Sequence, residues 1–196
     1  MNRQEFAWLD LPAVDAARRL LGCELLSRVD GELVRAKIVE TEAYDELDEA
    51  SHAFGGERPG NKTMYMAAGH LYVYLIYGMY CCCNIACGRE GFGSGVLVRA
   101  VEPLDGLDII ARRRARIEKY ATNGPGKLCI ALGIDRTMDG HDLSHEPLRL
   151  LQRPMIGSEE IIMTTRIGIT KASEELKRFY VRDSDYVSIK VKGDVQ

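Results

Sequence analysis

No run of apolar residues in these 196 residues approaches the length of a membrane span. The opening stretch MNRQEFAWLD also lacks the apolar block of a secretory signal, so the expectation is a cytoplasmic protein. Paired cysteine spacing is missing too. Cys81, Cys82 and Cys83 are consecutive, and neighbours cannot build a disulfide framework. Cys23, Cys87 and Cys129 complete no C-x2-C pattern for zinc, so the cysteines read as small buried hydrophobes in a reducing compartment. HDLSH places His141 and His145 four apart, yet no third metal ligand is spaced to join them, and Gly140 and Pro147 favour a loop over an aligning helix. Excess charge is absent as well: a net −3 argues against a protein that coats nucleic acid by charge alone. The chain shows no internal repeat and no low-complexity linker.

What is present is enough apolar material, 46% of residues, to bury the core of one domain spanning residues 1–196. Asp10 is placed to cap a helix that has Pro12 in its first turn and closes at Gly22. CELLSRV and LVRAKIVETEAY flank Asp30-Gly31, a strong hairpin signal. The polar stretch DELDEASHAFGGERPGNKT reads as a long, partly helical loop, and loops of that length tend to be functional. VLVRAVEPL reads as a buried strand, and a helix is predicted over residues 107–120. NGPGKL reads as a rigid turn into a helical CIALGI. LRLLQ, IIMTTRIGI and YVSIKV read as strands, with ASEELKRFY a short helix between the last two. The expectation is an α+β single domain: a curved, mostly antiparallel sheet flanked by helices, with a protruding hairpin.

That hairpin lies in LYVYLIYGMY. Tyr72 and Tyr74 keep strand alternation, but Tyr77 beside Gly78 breaks phase and is placed at a tip. In AKIVETEAY, alternation puts Ile38, Glu40, Glu42 and Tyr44 on one face, an arrangement suited to proton chemistry or equally to an ordinary charged strand side. His52 follows in the acidic loop. Asn84 sits in a strand-like run where an amide is disfavoured and must find partners if buried. Arg99 carries an obligate charge into VLVRAV. Flat rings with a few placed polar groups are the makings of a pocket. A basic segment, Arg112, Arg113, Arg114, Arg116, Lys119, Lys127 and Arg136, reads either as a solvated face or as a phosphate-contacting surface.

The segments VETEAYDELDEASHAFGG, LYVYLIYGMYCCCNI, VLVRAVEPLDG and NGPGKLCIALGI, in this order, closely resemble the alkyladenine (3-methyladenine) DNA glycosylase family, and RFYVRDSDYVS extends the match nearly to the end. The resemblance implies a monofunctional glycosylase of base excision repair. Such an enzyme flips damaged purines (3-methyladenine, 7-methylguanine, hypoxanthine) out of double-stranded DNA and hydrolyses the N-glycosidic bond. It implies Glu42 as the base that activates water and Arg99 as a polar residue beside the reacting sugar. Tyr44, His52 and Tyr74 become pocket walls, Tyr77 the intercalating wedge, and Asn84 the screen against normal guanine. The scheme calls for no metal and no organic cofactor, and a monomer suffices for it. The competing readings are a non-catalytic binder of damaged DNA and a metal-dependent hydrolase using His141 and His145.

Overall fold

A computed structural model describes residues 5–115 and 118–191. Within them the chain builds a nine-stranded antiparallel sheet in the order β6-β3-β4-β5-β2-β1-β7, with β9 joining β2 and β8. The strands are β1 (Glu24–Val29), β2 (Glu32–Asp45), β3 (His70–Ile76), β4 (Tyr80–Ala86), β5 (Ser94–Asp105), β6 (His141–Asp142), β7 (Leu148–Leu151), β8 (Ile161–Thr164) and β9 (Arg178–Val181). Three α-helices accompany them among the described residues: α1 (Ala13–Leu20), α2 (Leu107–Arg114) and α3 (Pro125–Leu132). The α+β expectation holds, and no helix among the described residues is long and apolar enough to cross a membrane.

Helix α1 forms because Ala13, Ala16, Ala17 and Leu20 recur at the spacing of one helical face, and all four are buried. Its N-cap is Pro12, so Asp10 does not cap it. The chain leaves the helix through Gly22 at φ +83°, and the Gly22 amide donates to Ile38 O at 2.9 Å, tying the helix end to β2. Asp30 and Gly31, both at positive φ, turn β1 into β2 as expected. Strand β2 is the spine. Its first half pairs with β1, residues 40–42 pair with β9, and its other edge runs along β5.

Alternation divides the sheet into two faces. Leu71 and Val73 of β3, Cys83 and Ile85 of β4, Val96 and Val98 of β5, and Ala43 of β2 enter the main core, onto which α1 and α3 pack. Their neighbours Tyr72, Tyr74, Cys82, Asn84, Leu97, Arg99, Glu42 and Tyr44 point the other way, into a cavity.

Several elements differ from expectation. Ile38 does not share the face of Glu42 and Tyr44. The register of β2 against β5 jumps from Ile38↔Val101 to Glu40↔Ala100, leaving Val39 as an extra residue, and Ile38 falls into the main core. Helix α2 stops at Arg114 because Ala115 takes φ +48°. Helix α3 begins inside NGPGKL, with Pro125 at its first position, where a missing N–H costs nothing. IIMTTRIGI is a strand only to Thr164. ASEELKRFY forms no helix: Ala172 takes φ +48°, and RFY is claimed by β9. YVSIKV forms no strand and instead lies across β9.

Candidate active site

The cavity encloses about 650 Å³ and is lined by Glu42, Tyr44, His52, Tyr72, Tyr74, Tyr77, Asn84 and Arg99, together with Pro125 and the backbone run 167–169. Every site residue expected from the sequence therefore meets at one cavity. Strand alternation supplies most of them. His52 is brought by the long loop, which is folded by its own bonds: the Asn61 side-chain amide donates to His52 O at 2.8 Å and Gly56 O at 3.1 Å. A buried ion pair between Asp48 and Arg166 pins the same loop to the segment after β8.

Glu42 is wholly buried and its carboxylate meets three donors. The Ile167 amide donates to Oε1 at 2.8 Å, the Tyr44 hydroxyl donates to Oε2 at 2.8 Å, and Arg99 Nη1 lies 3.2 Å from Oε2. An ionised carboxylate is an acceptor only, so this set matches its charged form. Burial first, and then the Glu42 charge, raise the Tyr44 phenol far above its ordinary pKa, so Tyr44 remains a donor. The Arg166 guanidinium stacks over the Tyr44 ring at 4.6 Å.

The rings form one wall. His52 meets Tyr74 edge-on with centroids 4.4 Å apart, and Tyr72 stacks on Tyr74 at 5.6 Å. His52 Nδ1 and the Tyr72 hydroxyl are 3.0 Å apart. Enclosure by these rings, then the Arg58 cation, hold the His52 pKa below the ordinary histidine value. Burial, then the Asp139 charge, push Tyr72 up to about 12. Two neutral groups therefore share that contact at neutral pH. Asn84 is 4% exposed and lines the cavity. An amide so placed presents its donors and acceptor to whatever fills the cavity.

Tyr77 stands at the hairpin tip, 85% exposed, at φ +53° beside Gly78 at φ +69°. Positive φ at both central residues is what a type I′ turn requires, but a bulky aromatic is an unusual choice for the first of them. Leu75 and Met79 beside it are also exposed.

Three contributors were not legible as site residues. Tyr72 has a signal, its alternation with Tyr74. Cys82 has one also, its place two residues before Asn84; burial, then Cys83, push its thiol up to about 11. Ile167 has none, because it acts through its backbone N–H. The histidine pair fails as a metal site: His141 Nε2 faces the His145 and Leu148 carbonyls at 3.1 and 2.8 Å, and no cluster of metal-holding side chains occurs among the described residues. The basic segment is partly spent internally, since Arg112 and Arg113 both pair with Glu32 and Lys127 donates to Asn123. Arg116 lies outside the described residues.

A family model described as methylpurine-DNA glycosylase (MPG) matches residues 7–185. A protein of Methanoculleus marisnigri named "Putative 3-methyladenine DNA glycosylase" is 42% identical over 186 residues, which cover 93% of this chain and 96% of that one. The human "DNA-3-methyladenine glycosylase" is 41% identical over 207 aligned positions, covering 96% of this chain and 69% of the human protein. A cavity of flat rings with a caged carboxylate at its wall, on a chain with these relatives, is that of a DNA glycosylase, a hydrolase of N-glycosyl bonds. The chain belongs to the methylpurine-DNA glycosylase family.

Proposed function

We propose that the protein excises alkylated or deaminated purines, 3-methyladenine, 7-methylguanine and hypoxanthine among them, from double-stranded DNA as a monomeric, monofunctional enzyme of base excision repair in the cytoplasm. The observation that carries this reading is the Glu42 carboxylate, held by Ile167 N, Tyr44 Oη and Arg99 Nη1 at the wall of a ring-lined cavity beside an exposed aromatic tip.

Tyr77 enters the duplex where the target nucleotide was, offsetting the few kcal/mol of unstacking that flipping costs. The extruded purine lies among Tyr44, His52 and Tyr74. A purine methylated at N3 or N7 is cationic, and tyrosine faces favour it by roughly 0.5–2 kcal/mol. Its charge also makes it a good leaving group. As the C1′–N bond breaks, the bonding pair leaves with the base and positive charge develops on the sugar. Glu42 opposes that charge and takes a proton from the water that bonds to C1′. Arg99 orients Glu42 and faces the sugar-phosphate. Asn84 meets the position of the exocyclic 2-amino group that guanine carries and hypoxanthine lacks.

A non-catalytic binder of damaged DNA is disfavoured by Glu42 itself, since a buried carboxylate beside phosphates weakens binding unless it performs chemistry. The testing experiment is release of free base, under single-turnover conditions, from a panel of duplexes each carrying one lesion. Chelator leaves the rate unchanged if no metal takes part. Tight binding of every lesion with no base released would establish the binder instead.

A further inference from the structure

Glu40, two residues before the proposed base, lines no part of the cavity and yet is wholly buried. It is held from three sides. Arg178 Nη1 donates to its Oε1 at 2.7 Å, the Ser188 hydroxyl donates to Oε1 at 2.9 Å, and the Ser188 amide donates to Oε2 at 2.7 Å. The segment bearing Ser188 is fastened in turn: Arg178 Nη1 donates to Ile189 O at 2.9 Å and the Val191 amide donates to the Tyr180 hydroxyl at 3.1 Å. Residues 186–191 are thus a strap closed over the Glu40–Arg178 pair.

The third residue facing Glu40 is Arg99. Its Nε lies 3.5 Å from Glu40 Oε1, while its Nη1 lies 3.2 Å from Glu42 Oε2. One guanidinium therefore spans two buried carboxylates, and its Nε forms no hydrogen bond, so charge alone anchors that edge. Arginine is planar, always charged and costly in rotamer entropy to order. With only Glu42 to meet, Arg99 is free to pivot about that contact. A second, immobile anion fixes its plane.

Resting on the assignment of Glu42 as base, we propose that Glu40 is a positioning residue for glycosidic hydrolysis. Locked by Arg178 and the 186–191 strap, it holds Arg99 across the cavity wall so that the Nη edge is presented to Glu42 and the reacting sugar. The irregular pairing of β2 with β5 serves this geometry. The register steps at Ile38/Glu40 and Glu40/Thr41 leave Val39 and Arg99 without opposite partners, which brings Glu40, Glu42 and Arg99 into one line of charges.

The test is a double-mutant cycle on the full chain. It is read by single-turnover base release from a duplex with one 7-methylguanine, with lesion binding measured by fluorescence anisotropy. Glu40→Gln slows release by roughly 10–100-fold, the loss expected from an angstrom-scale misplacement near the chemistry, while affinity is nearly retained. In an Arg99→Met background the same change costs no more than about twofold, because Glu40 acts through Arg99. An equal fold-loss in both backgrounds, or no loss in either, overturns the proposal. Glu40→Asp, which keeps the charge, recovers part of the rate; a rate no better than that of Glu40→Gln counts against it. If Glu40→Gln does not fold, Ser188→Ala removes one donor from the same carboxylate and enters the cycle with an expected loss of roughly three- to tenfold. Glu42→Gln is run alongside. A parental rate there removes the base assignment and this proposal with it, whereas a large loss there with additive Glu40 and Arg99 effects removes only the positioning role.

Discussion

The Tyr44 hydroxyl donates to Glu42 Oε2 at 2.8 Å, so the ring that walls the cavity is also a donor to the carboxylate proposed as the base. Tyr44→Phe keeps the wall and deletes the donor. A hydrogen bond to a charged group contributes roughly 1.5–3 kcal/mol, so single-turnover base release falls by about 10–100-fold while lesion affinity changes little. Loss of affinity with an unchanged release rate would make Tyr44 a wall only.

His52 titrates below the ordinary histidine value because the rings enclose it and Arg58 is near. Unfolded chain therefore takes up the proton first as pH falls. The contribution of neutral His52 to stability is complete above about pH 6.5 and is lost as pH drops toward the lowered folded value. Protonation also places a cation against the proposed site of a cationic purine. Melting temperature and affinity for a 3-methyladenine or 7-methylguanine duplex both decline with falling pH in this window, and His52→Gln flattens that part of both profiles. Parallel profiles for parent and variant would exclude His52 as the titrating group.

Tyr77 at φ +53° carries strain at an exposed position. Tyr77→Asn supplies the residue that type I′ turns favour before glycine, so it raises stability by about 0.5–1 kcal/mol. It also removes the ring, weakening lesion-specific binding by roughly 1–3 kcal/mol. Thermal melts and anisotropy titrations should therefore move in opposite directions. A variant that melts lower and binds normally would show that the ring supports the fold rather than the complex.

Asn84 is buried at the wall of the cavity. The proposed screen against guanine is worth roughly 1–3 kcal/mol, the cost of an unsatisfied buried donor. Asn84→Ser should accordingly raise removal of normal guanine and narrow the gap to hypoxanthine, with hypoxanthine little improved. The ratio of the two release rates from mismatched duplexes measures this, and an unchanged ratio in a folded variant assigns discrimination elsewhere.

What the sequence revealed follows the range of the signal that carries it. Period-two alternation is local, so LYVYL sends Tyr72 and Tyr74 to one face, and both line the cavity. A bulge is not local. It needs β5 alongside β2 to define it, and VETEAY extended back through Val39 therefore assigned Ile38 to the wrong face. The Asp48–Arg166 pair joins residues 118 apart, and no window of sequence contains both. ASEELKRFY has helical composition, but Lys177 pairs with Asp48, Arg178 pairs with Glu40 and the aromatics join the sheet, so tertiary pairing overrides propensity. Ile167 contributes only an amide, which every residue but proline has, and such a role leaves no mark in composition.

If Glu42 is the group that activates water, removing its basicity alone must slow base release. Parent and Glu42→Gln are mixed in excess with a duplex carrying a single 7-methylguanine, and free base is followed over one turnover. Glutamine keeps the shape and the Ile167 contact but has no basicity, so release falls by roughly 10²–10⁴-fold with lesion affinity intact. Release at the parental rate by a folded Glu42→Gln variant would exclude Glu42 as the base.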